Sequence, residues 1–129
     1  HAGAVMPTVT FNLPPVTPQV NKVYGSHWGA SYKAKRGYQQ DCMAVLQGMR
    51  WKDVESRWPV SMTITAYIGK GMHLPDLTDL GAWAKTNIDC LVAFGVFPDD
   101  SPRYINRVTL LASRDWDTPR LEIKWEGAA

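Results

Sequence analysis

Two pairs of acids flank a lysine in the segment "PDLTDLGAWAKTNIDCLVAFGVFPDDS", Pro75 to Ser101. Asp76 and Asp79 open it, three residues apart, and the pair Asp99 and Asp100 closes it. Hard divalent cations want carboxylate oxygens drawn from separated stretches of chain, and these acids supply them. Lys85 stands between the pairs, with Gly81 and Asp89 four residues to either side. An ammonium among carboxylates can hold a phosphate or neutralise charge in a transition state. Each group also has an ordinary local use. Asp76 is a good helix N-cap, with an acid three residues on in the manner of a capping box. Asp99 and Asp100 sit in a turn between Pro98 and Pro102, and Lys85 can pair with Asp89 on a solvated helix face. Spacing leaves both readings open.

Elements must position these groups. Asp79 to Phe94 has Leu80, Ala84, Ile88, Leu91 and Val92 on one stripe, which predicts a helix ended by Gly95. A helix of about fifteen residues spans roughly 22 Å, so the two acid pairs meet only if the chain folds back after it. Thr8 to Leu13 alternates and predicts a first strand, and Val60 to Gly69 alternates cleanly and predicts a second. Between them, Pro14 to Gly37 has prolines, glycines and a basic cluster without a period. It reads as a long loop, of the kind usually kept for function. Tyr38 to about Lys52 has helical spacing. Arg103 to Ser113 and Arg120 to Glu126 read as two further strands, joined as a hairpin through "WDTP". The expected fold is two-layer, α+β or α/β: a mixed four-stranded sheet in the order β-α-β-α-β-β with two helices packed on it.

The chain has 129 residues, 45% hydrophobic and 20% charged, as a single globular domain would. The domain is expected over residues 8–126, with residues 1–7 read as a tag or disordered start. No apolar run approaches the ~20 residues of a membrane span, and no secretory leader is visible; a cytoplasmic protein without a membrane partner is expected. Cys42 and Cys90 lack metal-type spacing and read as buried, reduced thiols. The net charge of +2 is divided unevenly. Residues 1–60 hold seven basic against three acidic residues, a net of +4, and the remainder seven against nine, a net of −2. A basic half beside an acidic half suits a polyanion held over a carboxylate site. The histidines have no metal-ligand spacing, although His73 is near Asp76. Trp58, Trp83 and Trp125 fall at core positions, and Trp28, in the basic stretch with Tyr24, His27 and Tyr32, is placed to touch bases.

The segment resembles the RusA-type Holliday junction resolvases, small phage and bacterial endonucleases. Their Asp-x-Asp-Asn element, helix lysine, Asp-x-Leu-x-x-x-Gly run and Asp-Asp before a strand find counterparts here in "DLTD", Lys85, "DCLVAFG" and "PDDS". Upstream, "LPPVTPQVNKVY" resembles the family's opening strand, proline pair and Asn-x-x-Tyr, and "GYQQDC" follows in place. The resemblance runs from about Leu13 to the last strand. It implies a Mg²⁺-dependent endonuclease, with Mn²⁺ as a substitute, that resolves four-way DNA junctions by paired nicks as a homodimer. It matches Asp76 and Asp100 to metal-binding carboxylates and Lys85 to the active-site lysine. Thr78 stands where the family has its second Asp, and Asp79 where it has Asn, so Asp79 is expected to take over as the missing ligand, with Asp99 accessory. Lys22, Lys33, Lys35, Arg36 and Arg103 are expected to grip DNA phosphates. The substitution at Thr78 keeps a second reading alive, a junction-binding protein of the same fold that does not cleave.

Overall fold

The computed structural model describes residues 7–14, 28–49 and 58–127. In chain order the elements are β1 (Thr8–Phe11), α1 (Trp28–Gln47), β2 (Val60–Ile68), α2 (Leu77–Phe94), β3 (Ile105–Arg114) and β4 (Arg120–Gly127). The expected α+β architecture, a mixed four-stranded sheet carrying two helices, is the one observed.

β2 shows why the sheet has one covered face. Val60, Met62, Ile64, Ala66 and Ile68 are buried, and Ser61, Thr63, Thr65 and Tyr67 alternate with them on the wetter side. β4 repeats the pattern with Leu121, Ile123 and Trp125, and β1 with Val9 and Phe11. These side chains form one core with Tyr38, Cys42 and Leu46 of α1 and Leu80, Trp83, Ala84, Ile88 and Leu91 of α2. Among the described residues, no helix is long and apolar enough to cross a membrane.

The strand order is β1-β4-β2-β3. β4 runs antiparallel to both neighbours, with Phe11 opposite Leu121 on one side and Met62 opposite Trp125 on the other. β3 runs parallel to β2, with Ile64 opposite Leu110. This corrects the expected hairpin, because β3 and β4 lie on opposite sides of β2 and do not pair. The connection between them, 115–119, crosses the end of β2, where the Asp115 N–H donates to the Ile68 carbonyl at 3.1 Å. Two inter-strand spacings amount to roughly 10 Å, which five residues span easily.

A second correction concerns α1. It begins at Trp28, ten residues before the expected start at Tyr38, so the last ten residues of the predicted loop form the first half of this helix. Tyr38, Cys42 and Leu46 are buried at four-residue intervals, but residues 33–37 are all exposed. That half has no apolar stripe for periodicity to detect. Its Ala, Lys and Arg residues favour helix by intrinsic propensity alone. The helix ends at Gln47, short of the expected Lys52; residues 50–57 lie outside the described set.

Candidate functional site

α2 carries most of the predicted site, and its ends are fixed by local chemistry. Asp76 is the N-cap, its carboxylate accepting the Asp79 N–H at 2.8 Å. This satisfies one of the amides that the first turn leaves open. At the other end Gly95 adopts φ 96°, the left-handed conformation glycine reaches without a Cβ penalty, and its N–H turns back to the Leu91 and Val92 carbonyls.

The chain then folds back. Asp99 accepts the Ser101 N–H at 2.7 Å in a tight turn. The Ser101 hydroxyl and then its N–H hold the Asp99 carboxyl below the usual carboxylate range. This turn delivers Asp100 to the polar face of α2. Lys85 Nζ donates to Asp100 Oδ2 at 2.6 Å and lies 2.9 Å from Asp89 Oδ1, one turn further along its own helix. Two carboxylates from separate stretches thus converge on one ammonium. The side chains of Lys85, Asp89 and Asp100 are 62%, 46% and 43% exposed, so a ligand from solvent can reach the cluster. The hydrogen bonds to Asp100 and then Asp89 push the Lys85 ammonium above its ordinary range, and Lys85 in turn holds the Asp100 carboxyl low. At neutral pH the cluster is a lysinium between two carboxylates.

Asp76 and Asp79 do not join it. Six helical residues separate Asp79 from Lys85, about 9 Å along the axis. Asp79 instead lines a separate cavity of about 350 Å³ with His73, Leu74, Pro75 and Trp83. Among the described residues, no three His, Cys, Asp or Glu side chains are grouped closely enough to hold a metal ion. Asp89 is the residue that sequence reasoning left out of the site. The signal for it was present twice, as the first letter of the Asp-x-Leu-x-x-x-Gly run and as the acid four residues after Lys85.

The expected phosphate-gripping residues divide. Lys33, Lys35 and Arg36 are exposed on the first half of α1, and Lys35 reaches α2 beside Lys85, where both line one cavity. Arg103 is exposed in the turn after Asp100, its guanidinium 5.6 Å from the centre of the Tyr104 ring. Lys22, Tyr24, His27 and the side chains of Trp28 and Tyr32 lie outside the described residues. Of the tryptophans assigned to the core, Trp83 and Trp125 are buried. Trp58 is 37% exposed, although its ring packs against Phe97 and Tyr104.

Behind the cluster, a buried polar junction fixes how α1 and α2 meet. The Tyr38 hydroxyl donates to the Asn12 carbonyl at 2.7 Å and accepts from Asn87 Nδ2 at 2.9 Å. Asn87 also approaches Cys42 Sγ at 3.6 Å, and its own Oδ1 has no hydrogen-bond partner. Burial pushes the Tyr38 phenol well above its usual range. The hydrogen bond to Cys90 and then burial do the same for the Cys42 thiol. Both cysteines are free and buried, as expected.

No protein-family model matches the chain, and no curated protein matches its sequence.

Proposed function

We propose that this chain is a Mg²⁺-dependent, structure-selective DNA endonuclease of the RusA-resolvase kind, acting on four-way or otherwise branched DNA. The observation that carries the reading is the meeting of Asp89 and Asp100 on Lys85, beside a helix bearing exposed cations. A lysine and two acids from separate stretches are what phosphoryl-transfer chemistry needs at one point.

The donor set suits the proposed ion. Mg²⁺ keeps several waters and is held through one or two carboxylates plus substrate phosphate; Asp89 and Asp100 already converge on one cation. They would hold the ion, with Asp79, Asp76 and Asp99 contributing only if the helix start and the turn draw closer to it. A bound Mg²⁺ would supply Lewis acidity at the scissile phosphate. Lys85 has three N–H donors. Two face Asp89 and Asp100, which leaves the third for a non-bridging phosphate oxygen. A lysine ammonium is charged at any near-neutral pH at which a nuclease works. Lys33, Lys35, Arg36 and Arg103 would position the DNA backbone without reading sequence.

A junction has near two-fold symmetry, and paired nicks need two sites related by a two-fold axis. A homodimer follows from the same reading. Labelled four-way junction and linear duplex, incubated with Mg²⁺, Mn²⁺ or chelator, test the proposal. Paired nicking of the junction by the wild type, lost in Asp100→Asn, supports it. Junction binding with no product under either metal would instead identify a non-cleaving binder, the reading that Thr78 in place of an acid favours.

A further inference from the structure

Between α1 and α2 lies a cavity of about 250 Å³, walled by Pro14, Tyr38, Ala82 and Trp83 and rimmed by Lys35 and Lys85. Its walls are largely apolar and aromatic, and both hydroxyls they carry are already donating. The Tyr38 hydroxyl is used in both directions, to Asn12 and from Asn87. The Thr86 hydroxyl, also at the wall, donates to the Ala82 carbonyl at 3.1 Å. The rim differs from the walls. Lys35 makes no ion pair or hydrogen bond among the described residues, and Lys85 retains one donor.

A ligand matching both parts has a flat, weakly polar ring system joined to an anion. The volume falls just under the ~300–1,000 Å³ of ordinary small-molecule sites, which suits one ring system and excludes a base pair. We propose that this cavity takes one unpaired nucleotide of a DNA strand, its base between the helices and its phosphate on Lys35 and Lys85. The inference rests on the nuclease reading and extends it, because Lys85 belongs to both the cavity and the carboxylate cluster. A nucleotide seated here places its phosphate beside Asp89 and Asp100, and the centre then selects strands with an unstacked base, as branch points supply. With both wall hydroxyls already donating, to Asn12 and to Ala82, the walls read little of a base's edge, and any base is accepted. Recognition is by stacking and charge, the mode of proteins that bind single strands without sequence preference.

The test is anisotropy with a fluorescein-labelled single-stranded 12-mer, an equal-length strand of abasic sites, and a duplex. Ala82 is exposed on α2, so Ala82→Trp fills the cavity from a position that tolerates bulk; circular dichroism checks its fold. The wild type is expected to bind the base-bearing strand about tenfold tighter than the abasic one. Ala82→Trp is expected to erase that preference and leave duplex binding unchanged. Lys35→Ala is expected to weaken both strands alike and lower the salt slope by about one. Equal wild-type affinity for the two strands overturns the inference, as does a preference that survives Ala82→Trp. Junction nicking without base preference would remove this site and spare the nuclease. Base preference without nicking would do the reverse.

Discussion

Lys85 and Asp100 shift each other's proton equilibria, and the direction of each shift sets where the pair holds. Asp100 titrates below its ordinary value because Lys85 favours its charged form. Its contribution to stability is therefore present above an unfolded pKa of about 3.9 and lost as pH falls through the depressed folded value. Lys85 titrates above its ordinary value. Its contribution is present below about 10.4 and lost as pH rises through the raised folded value. The Lys85–Asp100 pair thus stands unchanged from about pH 4 to about pH 10. Carboxyl-carbon NMR should show the Asp100 midpoint below that of a free aspartate, and Lys85→Met should move it upward. An Asp100 midpoint indifferent to Lys85→Met would break the pairing. Asp76 acts separately, as a cap. Asp76→Ala should lower urea-unfolding stability by about 1 kcal/mol. Sequence made Asp76, Asp79, Lys85 and Asp100 visible, since residue type and spacing are local properties. The partner of Asp100 was not visible. Whether it faces the helix start or Lys85 depends on how the turn at Pro98–Pro102 folds back.

At the scale of elements, the Tyr38–Asn87 hydrogen bond decides how α1 sits on α2, and so where Lys35 stands relative to Lys85. Tyr38→Phe removes the donor to Asn12 and leaves Asn87 Nδ2 facing a ring. A loss of about 1–3 kcal/mol is expected in denaturant unfolding, the cost of a buried polar group without its partner. A second test is at the helix end. Gly95→Ala places a Cβ at φ 96° and should lower stability by about 1 kcal/mol. Both β2 and α2 were legible in the sequence because each carries an unbroken apolar period, and α2 has its cap and terminal glycine besides. The first half of α1 was not, because residues 33–37 bury nothing and only buried faces leave a periodic trace.

At the scale of the molecule, β3 is an edge strand of ten residues whose central run, Val108 to Ser113, has no charge or proline to blunt it. Val108, Leu110 and Ala112 continue the covered face of β2, opposite Met62, Ile64 and Ala66. Yet Val108 is exposed, as is Leu111 on the other face. Natural edges of this kind are usually protected by pairing or by charge. The proposed dimer therefore makes Val108→Lys informative: sedimentation should show a shift towards monomer while the fold is kept. The strand order itself was out of reach from sequence. A five-residue connection closes a hairpin or crosses one strand equally well, and only the pairing of β4 with both β1 and β2 chooses between them.

The most direct test of the account uses Asp89, the acid that the fold adds to the predicted set. It should be measured by Mg²⁺-dependent, single-turnover nicking of a labelled four-way junction, comparing wild type with Asp89→Asn. Asp89→Asn leaves a solvent-exposed helix position of nearly the same size, and circular dichroism confirms the fold. The account predicts nicking by the wild type and a loss of at least a hundredfold in the variant, with junction binding retained. Nicking by Asp89→Asn at the wild-type rate would contradict it, because the carboxylates that meet at Lys85 would then not be the reaction centre.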